Sequence, residues 1–240
     1  MKIIDEEYTK HPFYGSRKMR DALRRRGHRV NRKRIQRLMR MMGIQSIAPR
    51  PGTSRPHPEH KVYPYLLRNL EVRCPDQVWS SDITYIPLRG GFAYLVAVID
   101  WFSRYVLSWE ISVSMDKEFC LSALESALRC FGRPDIFNTD QGAQFTSKAY
   151  TDILKDNEVL TSMDGRGRAL DNVFIERLWR SVKYEEIYPK EYDSRSDLVA
   201  GLRDYFIFYN SNRPHTSLGG RTPAEVHSGC AGGKSAWKEC

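Results

Sequence analysis

The run F-A-Y-L-V-A-V-I at residues 92–99 is apolar from end to end apart from one tyrosine hydroxyl. A strand of this kind has no face to offer to water, so it belongs in a sheet covered on both sides. The flanking sequence provides the rest of such a layer. Strand-like segments at about 78–87 and 104–112 lie on either side of the 91–99 strand, and Gly90-Gly91 suits a hairpin turn. Phe119, Leu121, Ala123, Leu124 and Leu128 mark a helix over 116–131, and D-I-F-N-T (135–139) reads as a fourth, short strand. A helix near 147–156 and a short apolar piece around Val159 and Leu160 come next. They are followed by a mobile glycine-rich loop at 163–169 and helices over 170–187 and 194–210. The class is α/β.

Charge divides the chain. Residues 1–60 hold 16 Lys/Arg against 5 Asp/Glu, a net +11, whereas residues 61–240 hold 22 against 24, a net −2. A basic excess confined to one block reads as a polyanion-binding surface, where an even spread would indicate only solubility. Within that block, S-R-K-M-R-D-A-L-R-R-R-G (16–27) sets Met19, Ala22 and Leu23 on one helical face and closes at Gly27. Asn31 then caps a second helix over 32–42, with Ile35, Leu38, Met39 and Met42 at core spacing. Two short helices with a tight connection resemble a helix-turn-helix. On the second helix Arg32, Lys33, Arg34 and Arg37 are placed to contact DNA, the alternative being a helical hairpin with a solvated basic face. The expected layout is a helix-turn-helix-like domain at 1–46, a proline-rich linker at 47–70, a catalytic core at 71–227 and a disordered tail at 228–240.

Other classes fall away. No run of about 18 apolar residues exists, and M-K-I-I-D-E-E-Y at the start is no signal peptide, so no membrane partner is expected and the location reads as cytoplasmic. Five cysteines without a C-x-x-C pair argue against a disulfide framework and against a zinc ribbon. His57 and His60 have only Cys74 at all near.

Three carboxylates carry the chemistry. Asp82 sits in the strand-like V-W-S-S-D-I-T-Y-I, where aspartate is normally depleted. Asp140 ends the fourth strand and opens the turn D-Q-G-A-Q-F, in which Gly142 permits a tight bend and Phe145 anchors the turn. Glu176 lies on the helix D-N-V-F-I-E-R-L-W-R. Between the first two lie 57 residues, and 35 between the last two. Strand, strand end and helix can bring three acids to one point and hold divalent metal for in-line displacement at a phosphodiester. Asp100 competes, but its place at a strand end reads as turn capping. Lys183 is seven residues beyond Glu176, on the same helical face, where a cation can grip phosphate. Asn172 is one turn before Glu176; it either orients substrate or Glu176, or simply caps the helix.

The motifs H-P-F-Y-G-S-R-K-M (11–19), W-S-S-D-I-T-Y-I-P (79–87), D-W-F-S-R (100–104) and N-T-D-Q-G-A-Q-F (138–145) continue through the 22 residues of 162–183. Y-N-S-N-R-P-H (209–215) and T-P-A-E-V (222–226) complete the series. In this order, over about residues 8–227, they resemble the bacterial insertion-sequence transposases encoded in two overlapping frames, specifically the downstream-frame (OrfB) product. The resemblance implies a DDE transposase with a retroviral-type integrase core. Its fold would be ribonuclease H-like, a mixed five-stranded sheet flanked by helices. It further implies Asp82, Asp140 and Glu176 as catalytic triad and metal ligands, Lys183 as the basic residue that follows, and Mg²⁺ or Mn²⁺ as cofactor. The implied partners are terminal inverted repeats and target DNA, an upstream-frame OrfA product joined as a fusion, and further copies of the chain on DNA. Association with the bacterial nucleoid would follow. Two other readings stand beside it: a truncated, catalytically incomplete copy that regulates transposition by binding DNA, and a ribonuclease H acting on RNA–DNA hybrids.

Overall fold

The computed structural model describes residues 1–47, 61–89, 91–165 and 172–230. The chain divides into two units, 1–55 and 56–240, each built round its own core.

The first unit consists of α1 (Lys2–Lys10), α2 (Ser16–Arg25) and α3 (Arg32–Met41). The apolar spacing of the sequence becomes its core, in which Met19 and Leu23 of α2 meet Ile35 and Met39 of α3. Asn31 caps α3 by accepting the Lys33 N–H at 3.0 Å. Gly27 leaves α2 at φ +82°, a conformation that strains any residue with a Cβ. α1 was not expected, because K-I-I-D-E-E-Y-T-K offers few apolar residues. It is held instead by Ile4 and by Glu7, which is buried and ion-paired to Arg26 at 2.7 Å. A carboxylate taken from water needs such a partner, and this one comes from the far end of α2.

The second unit is a five-stranded mixed sheet in the order β3-β2-β1-β4-β5. Its strands are β1 (Val78–Leu88), β2 (Gly91–Asp100), β3 (Val106–Ser112), β4 (Ile136–Thr139) and β5 (Leu160–Met163). β1, β2 and β3 are antiparallel neighbours, and β4 pairs parallel with both β1 and β5. β2 is next to an edge strand, yet from Leu95 onward both its faces are dry, while Phe92 at its start is exposed. Leu95, Ala97 and Ile99 pack towards α6 (Val173–Ser181) and α8 (Arg195–Ser211), while Val96 and Val98 pack towards α4 (Glu118–Phe131) and α5 (Lys148–Asp156).

Four expectations need correction. The C-terminal part of the expected linker, residues 61–70, packs on the core: Leu66 N donates to Ser162 Oγ at 3.0 Å, and Leu67 is buried against Val78 and Trp101. This segment shields the edge of β5, a site otherwise open to strand pairing. Residues 48–60 lie outside the described residues. The last helix, α9 (Pro223–Cys230), continues past 227 into the expected tail, of which 231–240 lie outside the described residues. Cys130 is disulfide-bonded, whereas Cys74 and Cys120 are free thiols.

The fourth correction concerns the helix expected over 170–187. α6 starts at Val173, and at Val182–Ile187 the coil widens into a π-helix before a short α7 (Tyr188–Lys190). Two successive carboxylates find partners in this wider turn. Glu185 accepts from Arg213 at 2.7 and 2.9 Å and from the Tyr205 hydroxyl at 2.9 Å. Glu186, buried, accepts from Lys190 at 2.7 Å and from the Tyr192 hydroxyl.

Asn210 joins α8 to the sheet. Its amide accepts from Val106 N and donates to Val106 O, both at 2.9 Å, with the side chain fully buried. Asn210→Ala leaves a buried N–H and C=O unpaired and should cost about 2 kcal/mol or more in urea unfolding. A loss under about 0.5 kcal/mol would show that water takes over both bonds.

Candidate active site

Asp82 owes its direction to strand register. It pairs with Ala97 in the β1–β2 ladder, and Ala97 belongs to the core on the α6 side of the sheet, so Asp82 points towards that layer. There the Trp179 indole, one turn beyond Glu176 on α6, donates from Nε1 to Asp82 Oδ2 at 2.9 Å. Trp179 escaped the sequence reading. Its signal was a large, mostly buried indole whose N–H needs an acceptor three residues after an acid.

Asp140 follows β4 directly, and β4 runs parallel beside β1, which brings the second acid towards the first. Its turn is tightly bonded. Gly142 N donates to Asp140 Oδ1 at 2.8 Å, Thr146 N returns to Gly142 O at 3.0 Å, and Phe145 is buried against Tyr150. Gly142 does not take a positive φ. Its lack of a side chain matters for another reason: a Cβ there would lie 2.8 Å from Asp140 Oδ1. Glycine thus makes room for the carboxylate to fold back on the turn. The start of the following loop is tied to the same strand end, since Asn138 Nδ2 donates to Asp164 Oδ1 at 2.7 Å and Asp164 N to Thr139 O at 2.9 Å.

Glu176 occupies the first turn of α6 with its side chain exposed. Asp82 feels both other acids. Burial raises its pKa from 3.8 to about 6, opposed by the Trp179 hydrogen bond, and the charges of Asp140 and Glu176 push the same way as burial. Asp140 is also raised, by the protein on its inner side, but the residue as a whole is exposed, which limits that effect, and the Gly142 N–H opposes it. A buried carboxylate with further acids acting on it is an electrostatic demand that a cation answers. Three hard oxygen donors without thiolate or imidazole suit Mg²⁺ or Mn²⁺ by chemistry. Among the described residues, no three acidic, histidine or cysteine side chains are close enough to enclose an ion as they stand.

The other predicted residues are placed as follows. Lys183 is half-buried on the π-helical segment and forms no ion pair among the described residues. Asn172 stands at the N-cap of α6 but makes no capping bond; it is buried, and its Oδ1 lacks a partner among the described residues. Arg32, Lys33, Arg34 and Arg37 are exposed on α3, with no ion pair among the described residues. Asp100 is fully engaged by its own turn. Oδ1 accepts from Asp76 N at 2.9 Å, and Oδ2 from Ser103 N and Oγ at 2.7 and 2.6 Å.

A ribonuclease H-like sheet with these acids at its α6 face defines a class, the integrase-core polynucleotidyl transferases. Comparison with known proteins agrees. The Integrase core domain family matches residues 72–169 and, in a second description, 157–223, and an HTH-like domain family matches residues 1–52. The transposase for insertion sequence element IS629 of Shigella sonnei is 32% identical over 94% of this chain and 76% of that protein. Transposase InsF for insertion sequence IS3A of Escherichia coli (strain K12) is 33% identical over 90% of this chain and 77% of that protein. The chain belongs to the IS3 family of insertion-sequence transposases. Among solved structures, the HTLV-2 integrase catalytic core domain in complex with magnesium shares the fold with a TM-score of 0.51 and 20% identity, over 64% of this chain and 97% of that one. The simian T-cell lymphotropic virus intasome, solved in complex with PP2A regulatory subunit B56 gamma, shares it with a TM-score of 0.58 and 16% identity. That match covers 92% of this chain and 75% of the other.

Two outcomes follow from the local geometry. Gly142→Ala should displace the Asp140 carboxylate, a mobile side-chain end, and cut strand-joining activity at least tenfold while leaving the melting temperature nearly unchanged; full activity would mean that this contact is idle. For Asp82, a raised carboxyl pKa means that ionisation opposes folding. The penalty is absent below about pH 4, grows between about pH 4 and 6, and is complete above that window. With chelator present, Asp82→Asn should therefore stabilise the protein by about 1–2 kcal/mol at about pH 7.5 and by nothing near pH 4. Denaturation at the two pH values decides it, and a pH-independent difference would remove the electrostatic account.

Proposed function

We propose that this chain cuts and joins DNA at the ends of an insertion sequence, with Asp82, Asp140 and Glu176 as the catalytic, metal-holding acids. The observation that carries this reading is the placement of the acids: Asp82 on β1 is bonded by Trp179 of α6, the helix that carries Glu176, and Asp140 ends the strand parallel to β1. Mg²⁺ or Mn²⁺, when bound, supplies Lewis-acid stabilisation of the attacking and leaving oxygens. The magnesium in the HTLV-2 integrase core structure supports this choice of ion.

The residues of the chain have separable tasks. The Trp179 N–H fixes the direction of Asp82, and the Gly142 N–H fixes Asp140. Glu176, exposed on α6, is free to swing towards them when charge is neutralised. Lys183, after Glu176, is assigned to DNA phosphate, and Asn172, before it, to orienting the DNA substrate or Glu176. First, water attacks phosphorus at the element end and the 3′ oxygen leaves, giving a free 3′-OH and a 5′ phosphate. That 3′-OH then attacks a target phosphodiester, forming one P–O bond as another breaks. Catalysis of this kind depends on placement and charge more than on covalent help from the protein.

The first unit supplies the grip. Arg32, Lys33, Arg34 and Arg37 are exposed on α3 without an ion pair among the described residues, as phosphate contacts require. The terminal inverted repeats and target DNA are the assigned substrates, an upstream-frame OrfA product is the assigned fusion partner, and the working form is an oligomer on DNA. The described residues include no helix able to cross a membrane, and we place the protein with the bacterial nucleoid in the cytoplasm.

A single assay tests both units: Mg²⁺-dependent joining and gel retardation on element-end duplexes, run with and without the upstream-frame product. Asp82→Asn, Asp140→Asn and Glu176→Gln should each lower joining by 10³-fold or so while retaining retardation. Arg34→Ala with Arg37→Ala should weaken retardation and flatten its salt dependence. Wild-type binding without joining under every condition would leave the regulator reading in its place.

A further inference from the structure

The D-W-F-S-R turn and the segment after α8 have no part in the triad, yet together they form a cleft of about 760 Å³ in the second unit. Trp101, Phe174, Leu218 and Val226 give it apolar walls, and Arg104 and Arg221 are its charged lining among the described residues. Trp101 and Phe174 meet edge to face at 4.9 Å. The Arg104 guanidinium lies 3.5 Å over the Phe174 ring.

Arg104 is an unusual group to leave in such a place. Its Nη1 is buried without a hydrogen-bond partner, and no salt bridge reaches it among the described residues. Asp100, the near acid, has given both oxygens to Asp76 and Ser103. Burial lowers Arg104 to about 10 even though the charges of Tyr209 and Asp100 act the other way, so the cation is held at a cost and without a salt bridge among the described residues. Its backbone is held at φ +64°, a conformation that a non-glycine residue rarely adopts. Arg221, on the exposed rim, uses its Nε on Leu218 O at 3.3 Å.

We propose that this cleft receives one unpaired nucleotide of the DNA end, its base against Trp101 and Phe174 and its phosphate on Arg104 and Arg221. The inference rests on the DNA-end reading above and deepens it. Charge complementarity selects the occupant: two arginines, with no carboxylate among the described lining residues, want an anion, and aromatic walls want a flat apolar body. A nucleotide carries both in one covalent unit. Phe174 is two residues before Glu176 on α6, so the cleft and the third acid share the first turn of one helix.

The test uses the full chain in chelator, so that no chemistry intervenes, with a short single-stranded oligonucleotide carrying 2-aminopurine as the probe. Stacking should quench its fluorescence saturably, and replacing that base by an abasic unit should weaken binding about tenfold. Ser217→Trp, which fills the cleft from an exposed turn, should weaken it equally, as should Arg104→Lys if that variant melts like the parent. Element-end duplex retardation, measured in parallel, should stay within about threefold in Ser217→Trp. Unchanged quenching in Ser217→Trp overturns the proposal, and so does displacement of the probe by an acidic, aromatic peptide at lower concentration than by unlabelled oligonucleotide. Failure of the probe to bind while duplex ends are still retarded also overturns it, and leaves the DNA-end reading intact.

Discussion

The register between β1 and β2 is the constraint from which the rest of the catalytic unit follows. Ten successive pairs, from Trp79 opposite Asp100 to Leu88 opposite Gly91, fix which side chains of β1 face each helical layer. In this register Trp79 turns to the α4–α5 side and joins its core, while Asp82 shares a face with Ala97 under α6. A slip of one residue would exchange the two sets, moving the carboxylate away from α6 and Ser81 or Ile83 into its place. The apolar run of β2 protects against that slip, because it is buried on both faces and ties β1 to a strand that cannot itself be displaced.

Charge is then set against packing. Asp82 lies against a hydrophobic layer with two other acids acting on it, and its neighbours ease only part of the strain, through the Trp179 N–H. Asp100, more deeply buried, shows the contrast: both oxygens are occupied by turn donors, which makes it a structural acid. Two aspartates near opposite ends of neighbouring strands thus differ in role because one has its hydrogen-bonding capacity filled and the other keeps it open. The Glu185–Arg213 and Glu186–Lys190 pairs follow the same logic on the π-helical segment, where neighbouring acids are each satisfied and the helix that carries Glu176 is held at its far end.

Cations are distributed in a complementary way. The exposed row on α3 is solvated and unpaired, suited to a polyanion of any sequence. Arg104 is the opposite kind of cation, half-buried and stacked on an aromatic ring, where position counts for more than charge number. An enzyme that must hold a long substrate and also place one bond of it has use for both kinds.

By itself the sequence determined the α/β class, the burial of β2, the basic helical pair and the cap at Asn31, and it singled out the three acids. Each is a local pattern, since periodicity, composition and spacing report on what a segment buries or exposes. It left α1 unseen, because the interaction that holds that helix is Glu7 with Arg26, nineteen residues away. It also left residues 61–70 as linker, because their partners Ser162 and Met163 are about a hundred residues further on. The π-helical turn, the Trp179 clamp on Asp82 and the true reason for Gly142 belong with these. Only the tertiary structure decided them, since each depends on which distant groups meet across a packed interface, and a burial pattern read along one segment carries no record of its partner.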